Sequence, residues 1–159
     1  MNEPDIFHLI DKEWMLIGAT GEGGFNPMTA SWGGLGVLWN KKVAFTFIRP
    51  QRYTFGFAES GDTYTLNFFS EEYRPALSLC GSKSGRDVDK VKETGLTPVA
   101  TPEGTYFKEA RLVLCCKKLY SQFLDPACFI DPSLQNNYPG KDYHKMFIGE
   151  IVKVLKAPC

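Results

Sequence analysis

Residues 43–69 read VAFTFIRPQRYTFGFAESGDTYTLNFF, and this stretch decides the fold class. Over Val43–Ile48, the residues Val43, Phe45 and Phe47 fall on one side and Ala44, Thr46 and Ile48 on the other, which is the period of a strand. Pro50 presets φ for a helix start and predicts a helix over Gln51–Glu59 that stops at Gly61. From Thr63 to Phe69 the alternation resumes, with Tyr64, Leu66 and Phe68 set against Thr63, Thr65 and Asn67. Working outward, Trp14–Ala19 is an apolar run closed by a glycine-rich turn through Gly24. Arg111–Leu119 and Met146–Leu155 are apolar on both sides and predict strands covered on both faces. Tyr73, Ala76, Leu77 and Cys80 are spaced for a helix face. Asp87–Thr94 predicts a further short helix, with Ser84 or Asp87 as N-cap and Gly95 as its stop. Asp125–Asp142, with three prolines, predicts a long loop of the kind that carries function or partner contacts. There is no regular βαβ alternation, so the order of elements points to a barrel in one domain over residues 1–159.

Composition narrows the function classes. The 159 residues are 43% hydrophobic, 14% aromatic and 23% charged, with Lys+Arg 18 against Asp+Glu 18. A chain of this length buries about 70% of its unfolded surface, enough for a core without staples. A net charge of zero argues against a nucleic-acid binder, which needs many uncompensated cations. No apolar run reaches the roughly 18 residues of a membrane helix, and the first residues lack signal-peptide order, so a cytoplasmic protein is expected. Five cysteines without a CxxC pair, and two histidines without ligand spacing, speak against disulfides and against a metal site.

The glycines do not make a nucleotide motif. Gly21, Gly23 and Gly24 fail GxGxxG because Asn26 stands third, and Gly81–Ser84 is not a Walker loop because Ser82 precedes the lysine. Two basic turns remain. Arg49 and Arg52, with Thr54 nearby, could meet a phosphomonoester through guanidinium forks and a hydroxyl. Lys83, Arg86 and Lys90, with Ser82 and Ser84, could form a second anion-contacting turn, or a solvated turn with ordinary capping. Between them in kind is NPMTASWGG, residues 26–34, small and polar, read as a β-turn around Asn26 and Pro27 that also suits the edge of a flat heteroaromatic ring. Cys128, in the long loop, reads as a packed cysteine or as a reactive thiol.

The ordered set NPMTASWGG (26–34), IRPQRYT (48–54), TLNFF (65–69), CGSKSGRDVDK (80–90) and HKMFIGEI (144–151) resembles the flavin reductase-like, FMN-binding split-barrel family that includes flavoredoxins. The resemblance implies a mainly β chain: a six-stranded antiparallel split β-barrel of Greek-key character with a few short helices. It also implies a homodimer with non-covalent FMN near the subunit interface. By the same resemblance, Met28, Thr29, Ala30 and Ser31 contact the isoalloxazine edge and ribityl chain; among the aromatics, Trp32 is the one left as a neighbour for the flat ring. Arg49, Arg52 and Thr54 match the phosphate turn, Asn67 an asparagine near the flavin, and Ser82, Ser84 and Lys90 the closing loop. His144 matches a histidine on the nicotinamide or acceptor side, and would otherwise be a hydrogen-bonded structural histidine at a strand start. Gln51 departs from the pattern, standing where many relatives have serine. Phe45, Phe47, Tyr64 and Phe68 are assigned to the barrel core and dimer contact.

The activity implied is NAD(P)H-dependent hydride transfer to FMN, with onward electron transfer to an acceptor. Two rivals stay open: a flavoredoxin-type electron carrier with little nicotinamide turnover, and a barrel without flavin.

Overall fold

The computed structural model describes residues 5–157. A short helix α1 (Asp5–Phe7) runs into a π-turn, His8–Lys12, ahead of strands β1 (Met15–Gly21), β2 (Gly24–Ala30), β3 (Gly33–Leu38) and β4 (Lys41–Ile48). Helix α2 (Thr54–Ser60), strand β5 (Thr63–Phe68), and helices α3 (Arg74–Ser82) and α4 (Lys90–Thr94) follow. Strands β6 (Pro98–Thr101), β7 (Gly104–Phe107), β8 (Leu112–Phe123) and β9 (Lys145–Lys156) complete the order. The main sheet has seven strands in the order β2-β1-β5-β8-β9-β4-β3, every pairing antiparallel, and β6 and β7 form a separate hairpin. The expected six strands are therefore corrected to a seven-stranded sheet with a two-stranded satellite.

The strands that were not anticipated have physical reasons for being hidden. Pro27 sits within β2 opposite Gly18, and this is tolerated because β2 is an edge strand whose outer side needs no donor. The expected turn at Asn26 and Pro27 is thus a strand. Strand β3 is rich in glycine, a poor strand former, but it is the other edge; the Phe45 ring lies over Gly34 and Gly36, where a Cβ would stand 3.9 Å from it. The hairpin β6–β7 is disguised by Pro98 and Pro102.

Helix starts also shift. Residues 49–53 make a turn closed by the Arg52 N–H to the Arg49 carbonyl at 3.1 Å, so α2 begins at Thr54. The cap of α4 is Asp89, which accepts from the Lys92 N–H at 3.1 Å, in place of Ser84 or Asp87. Strands β8 and β9 are covered on both faces only in part. Beyond Lys117, β8 has left its partner β5 and pairs β9 alone, and Leu119, Tyr120 and Phe123 are exposed.

One face of the sheet closes on a core of Met15, Ile17, Met28, Ala44, Ile48, Tyr64, Leu66, Phe68, Leu114, Cys116 and Phe147. Because Met28 of edge strand β2 and Ala44 and Ile48 near the other edge share this cluster, the sheet wraps around onto itself. The opposite face carries Leu16, Val113 and Cys115 against Leu77 and Cys80 of α3 and Phe107 of β7. Adjacent Cys115 and Cys116 therefore point to different cores. On β4 the inward set is Ala44, Thr46 and Ile48. The Tyr64 ring lies opposite, with its hydroxyl 3.4 Å from the Ala44 carbonyl and 3.5 Å from Thr46 Oγ1. Phe45 and Phe47 face outward, a correction to their assignment to the barrel core.

Candidate functional site

The sheet's two free edges, β2 and β3, are consecutive in the chain and joined only by Ser31 and Trp32. At this seam lies a cleft of about 220 Å³ lined by Met28, Thr29, Ala30, Ser31, Trp32, Phe47, Arg49, Arg52 and His144. A second hollow of about 370 Å³ shares Thr29, Ala30 and Ser31 as its wall and continues past Trp14 and Leu77 to Gly81 and Ser82 at the end of α3. Together they reach the roughly 300–1,000 Å³ typical of a small-molecule site. The strand pattern explains the placement. Alternation on β4 sends Phe47 out to the seam, the following turn delivers Arg49 and Arg52, and His144 enters one residue before β9.

The two arginines differ in what they already hold. Arg49 Nη1 donates to Asp142 Oδ2 at 2.7 Å, Nη2 donates to the Asn137 carbonyl at 2.8 Å, and the guanidinium stands 5.0 Å from the centre of the Tyr138 ring. Asp142, held well below the usual carboxylate range chiefly by that Arg49 bond, also accepts from the Gln51 amide. Arg52 makes one long hydrogen bond, 3.5 Å to the Cys80 carbonyl, while burial works against its charge. A half-buried guanidinium with five donors and one distant acceptor is suited to an anion.

Three other expected ligand residues are committed inside the protein. Thr54, 1% exposed, accepts from Asn26 Nδ2 at 2.7 Å. Asn67 is fully buried; its amide donates to the Leu16 carbonyl at 3.1 Å and to Thr65 Oγ1 at 2.9 Å, and its carbonyl accepts from the Phe107 N–H at 3.0 Å. It joins the β6–β7 hairpin to the sheet and does not reach the cleft. Lys90, 4% exposed, donates to the carbonyls of Pro27 at 2.9 Å and Cys80 at 2.8 Å. Burial pulls its ammonium down to about 8, with Cys80 opposing and neighbouring Arg52 adding to the fall. Lys90 and Arg52 thus meet at one carbonyl near the C-terminus of α3, the end of a helix that attracts cations.

The remaining loop residues are peripheral. Ser82 Oγ donates to the Ser78 carbonyl at 2.9 Å, and Ser84 Oγ accepts from the Arg86 N–H at 3.2 Å. Gly85 is required by contact: a Cβ there would come within 2.1 Å of Asn26 Oδ1 and 2.6 Å of the Tyr53 ring. Thr29 donates its hydroxyl to the Leu77 carbonyl, so that donor is already engaged within the protein.

His144 is buried beside Trp32, with ring centroids 5.3 Å apart, and its Nδ1 lies 2.7 Å from the Tyr138 hydroxyl. Phe47, Tyr138 and Asp142 are site residues that sequence reasoning did not identify. Phe47 was legible in principle from the alternation on β4, whereas nothing in the sequence brings the long loop onto Arg49.

Burial, reinforced by Arg49 and opposed by Asp142, pulls the His144 imidazole down to about 4. Unfolded, it titrates near 6.5. Between those values the unfolded chain binds a proton that the folded chain does not, so this group makes stability fall as the pH is lowered from 6.5 towards 4. Chemical denaturation across that window is expected to show a shallower acid decline for His144→Gln than for the wild type. Parallel declines would contradict the assignment.

Among described residues there is no cluster of three or more potential metal ligands, and no helix is long and apolar enough to cross a membrane. The chain is similar in structure to the flavoredoxin of Desulfovibrio vulgaris (Miyazaki F), with TM-score 0.72 and 22% identity over 91% of this chain and 69% of that one. It is also similar to an FMN-binding protein from Thermus thermophilus (TM-score 0.71, 20% identity, 99% of this chain and 78% of that one). A Shewanella frigidimarina NCIMB 400 protein with a split barrel domain gives TM-score 0.71 and 22% identity over 96% of this chain and 72% of that one. At these identities the likeness speaks to the fold. No curated protein matches the sequence. The family profile described as "Flavin reductase like domain" matches residues 8–158, nearly the whole chain, and the protein belongs to that family.

Proposed function

We propose that the protein is an FMN-dependent oxidoreductase that takes hydride from NADH or NADPH and passes electrons to an acceptor. The observation that carries this reading is Arg52, a half-buried guanidinium with unused donors at the margin of a cleft walled by small residues and aromatic rings. The residues present fit FMN. Arg52 offers its fork to a phosphate dianion, Ser82 borders the adjoining hollow, and the Met28–Ser31 backbone lets a flat ring approach without long side chains in the way. Trp32 and Phe47 limit water at the ring, and His144 stands among them as a neutral hydrogen-bonding group. FMN, when bound, supplies the capacity to accept hydride and release electrons, so the protein needs no catalytic triad of its own. A homodimer is part of this reading, supported by exposed apolar side chains at Val37, Trp39, Tyr120, Val152 and Val154 on the outer sheet.

The FMN-loaded protein, mixed anaerobically with NADH or NADPH in a stopped-flow instrument, is expected to lose its flavin absorbance with at least one of the two. No bleaching with either would remove the nicotinamide step and leave the electron carrier. A protein purified without flavin, and unable to take up FMN, would remove both.

A further inference from the structure

We propose that Tyr138 is a positioning residue for His144: its phenol donates to Nδ1 and fixes the imidazole as the Nε2–H tautomer, so that the cleft presents one hydrogen-bond donor for a carbonyl or carboxamide oxygen on a bound ring. The proposal rests on the reading of the cleft as the site of cofactor and substrate.

The tautomer follows from counting donors. Tyr138 is 6% exposed; the His144 backbone N–H, a donor, faces its hydroxyl, and among the described residues the one acceptor within reach of the hydroxyl proton is His144 Nδ1 at 2.7 Å. A buried hydroxyl that gives its proton to nothing loses the full value of a hydrogen bond, so the phenol must donate. Nδ1 is then the acceptor, and in a neutral imidazole the proton resides on Nε2. Among the described residues Nε2 has no hydrogen-bond partner, while the ring lines the cleft beside Trp32 and Phe47. Burial raises the phenol's pKa, which keeps the donor protonated.

Tyr138 is itself held from several sides. Its ring packs 4.9 Å from Tyr143 and edge-on to His144, and Arg49 covers it while bonded to Asp142 and to the Asn137 carbonyl. Its N–H donates to the Gln135 carbonyl at 2.9 Å. The long loop thus delivers one hydroxyl to one ring nitrogen.

The chain has two histidines, so ¹⁵N NMR of the imidazoles in the flavin-free protein at neutral pH is read directly, with His8→Gln assigning the pair. His144 is expected to show a pyridine-type Nδ1 and a protonated Nε2. In Tyr138→Phe the preference for that tautomer is expected to fall roughly three- to tenfold, the weight of one buried hydrogen bond. A protonated Nδ1 in the wild type, or an unchanged tautomer ratio in Tyr138→Phe, overturns the proposal. The wild-type spectrum decides the matter even if the variant folds poorly. Failure to bind FMN is seen separately by absorbance and counts against the cofactor reading, not against the tautomer.

Discussion

Arg52→Ala weakens FMN binding about ten- to a hundredfold, the expected loss when a phosphate dianion forfeits one charge-assisted fork in a partly buried site. The effect is large because the two cations nearest it in the cleft and behind it are already engaged. Arg49 is committed to Asp142 and Asn137, and Lys90 to two carbonyls. Stability changes little in this variant, since the Cys80 carbonyl keeps its 2.8 Å bond to Lys90 when the 3.5 Å bond to Arg52 is gone. Arg52→Lys restores charge but not the planar fork and falls between the two. Titration of the apo-protein with FMN, followed by quenching of flavin fluorescence, measures it. Wild-type affinity in Arg52→Ala would refute the phosphate assignment.

Asn67→Ala has the opposite signature. It removes three internal hydrogen bonds and leaves the Phe107 N–H without its acceptor beneath a residue that is 1% exposed. A loss of about 2–4 kcal/mol follows from one unsatisfied buried donor together with the cavity. FMN affinity of the folded molecules stays within about threefold of wild type, because the side chain lies on the hairpin side of the sheet. Urea denaturation and the same FMN titration separate the two quantities. A large affinity loss with stability intact would return Asn67 to the cofactor site, where the family resemblance had placed it.

These two residues show how far the sequence could be read. Strands β4 and β5 were legible because their alternation is strict, and the helices were legible to within a few residues because Pro50, Gly61 and Gly95 mark their limits. Strands β2 and β3 were not, since proline and glycine lower local strand preference and only their position at the sheet's edges makes them tolerable. Met28–Trp32, Arg49, Arg52 and His144, far apart in the chain, line one cleft. Thr54, Asn67 and Lys90 have internal partners that the sequence did not announce, because it records that a polar group is present, not which partner claims it. Each has an internal acceptor or donor on a segment distant in the chain. The Arg49–Asp142 pair spans 93 positions, a separation that no local pattern encodes.

The link of Ser31 and Trp32 between the sheet's two free edges has a consequence for how such a protein can change. Since no ladder hydrogen bond crosses from β2 to β3, residues added to or removed from that link alter the width of the opening without dismantling any pair of strands. Aperture and strand register are therefore separable in this chain, within the limit set by the core that Met28 shares with Ala44 and Ile48. A different bound ring could be accommodated by changing the hinge of the clasp while the rest of the barrel keeps its register.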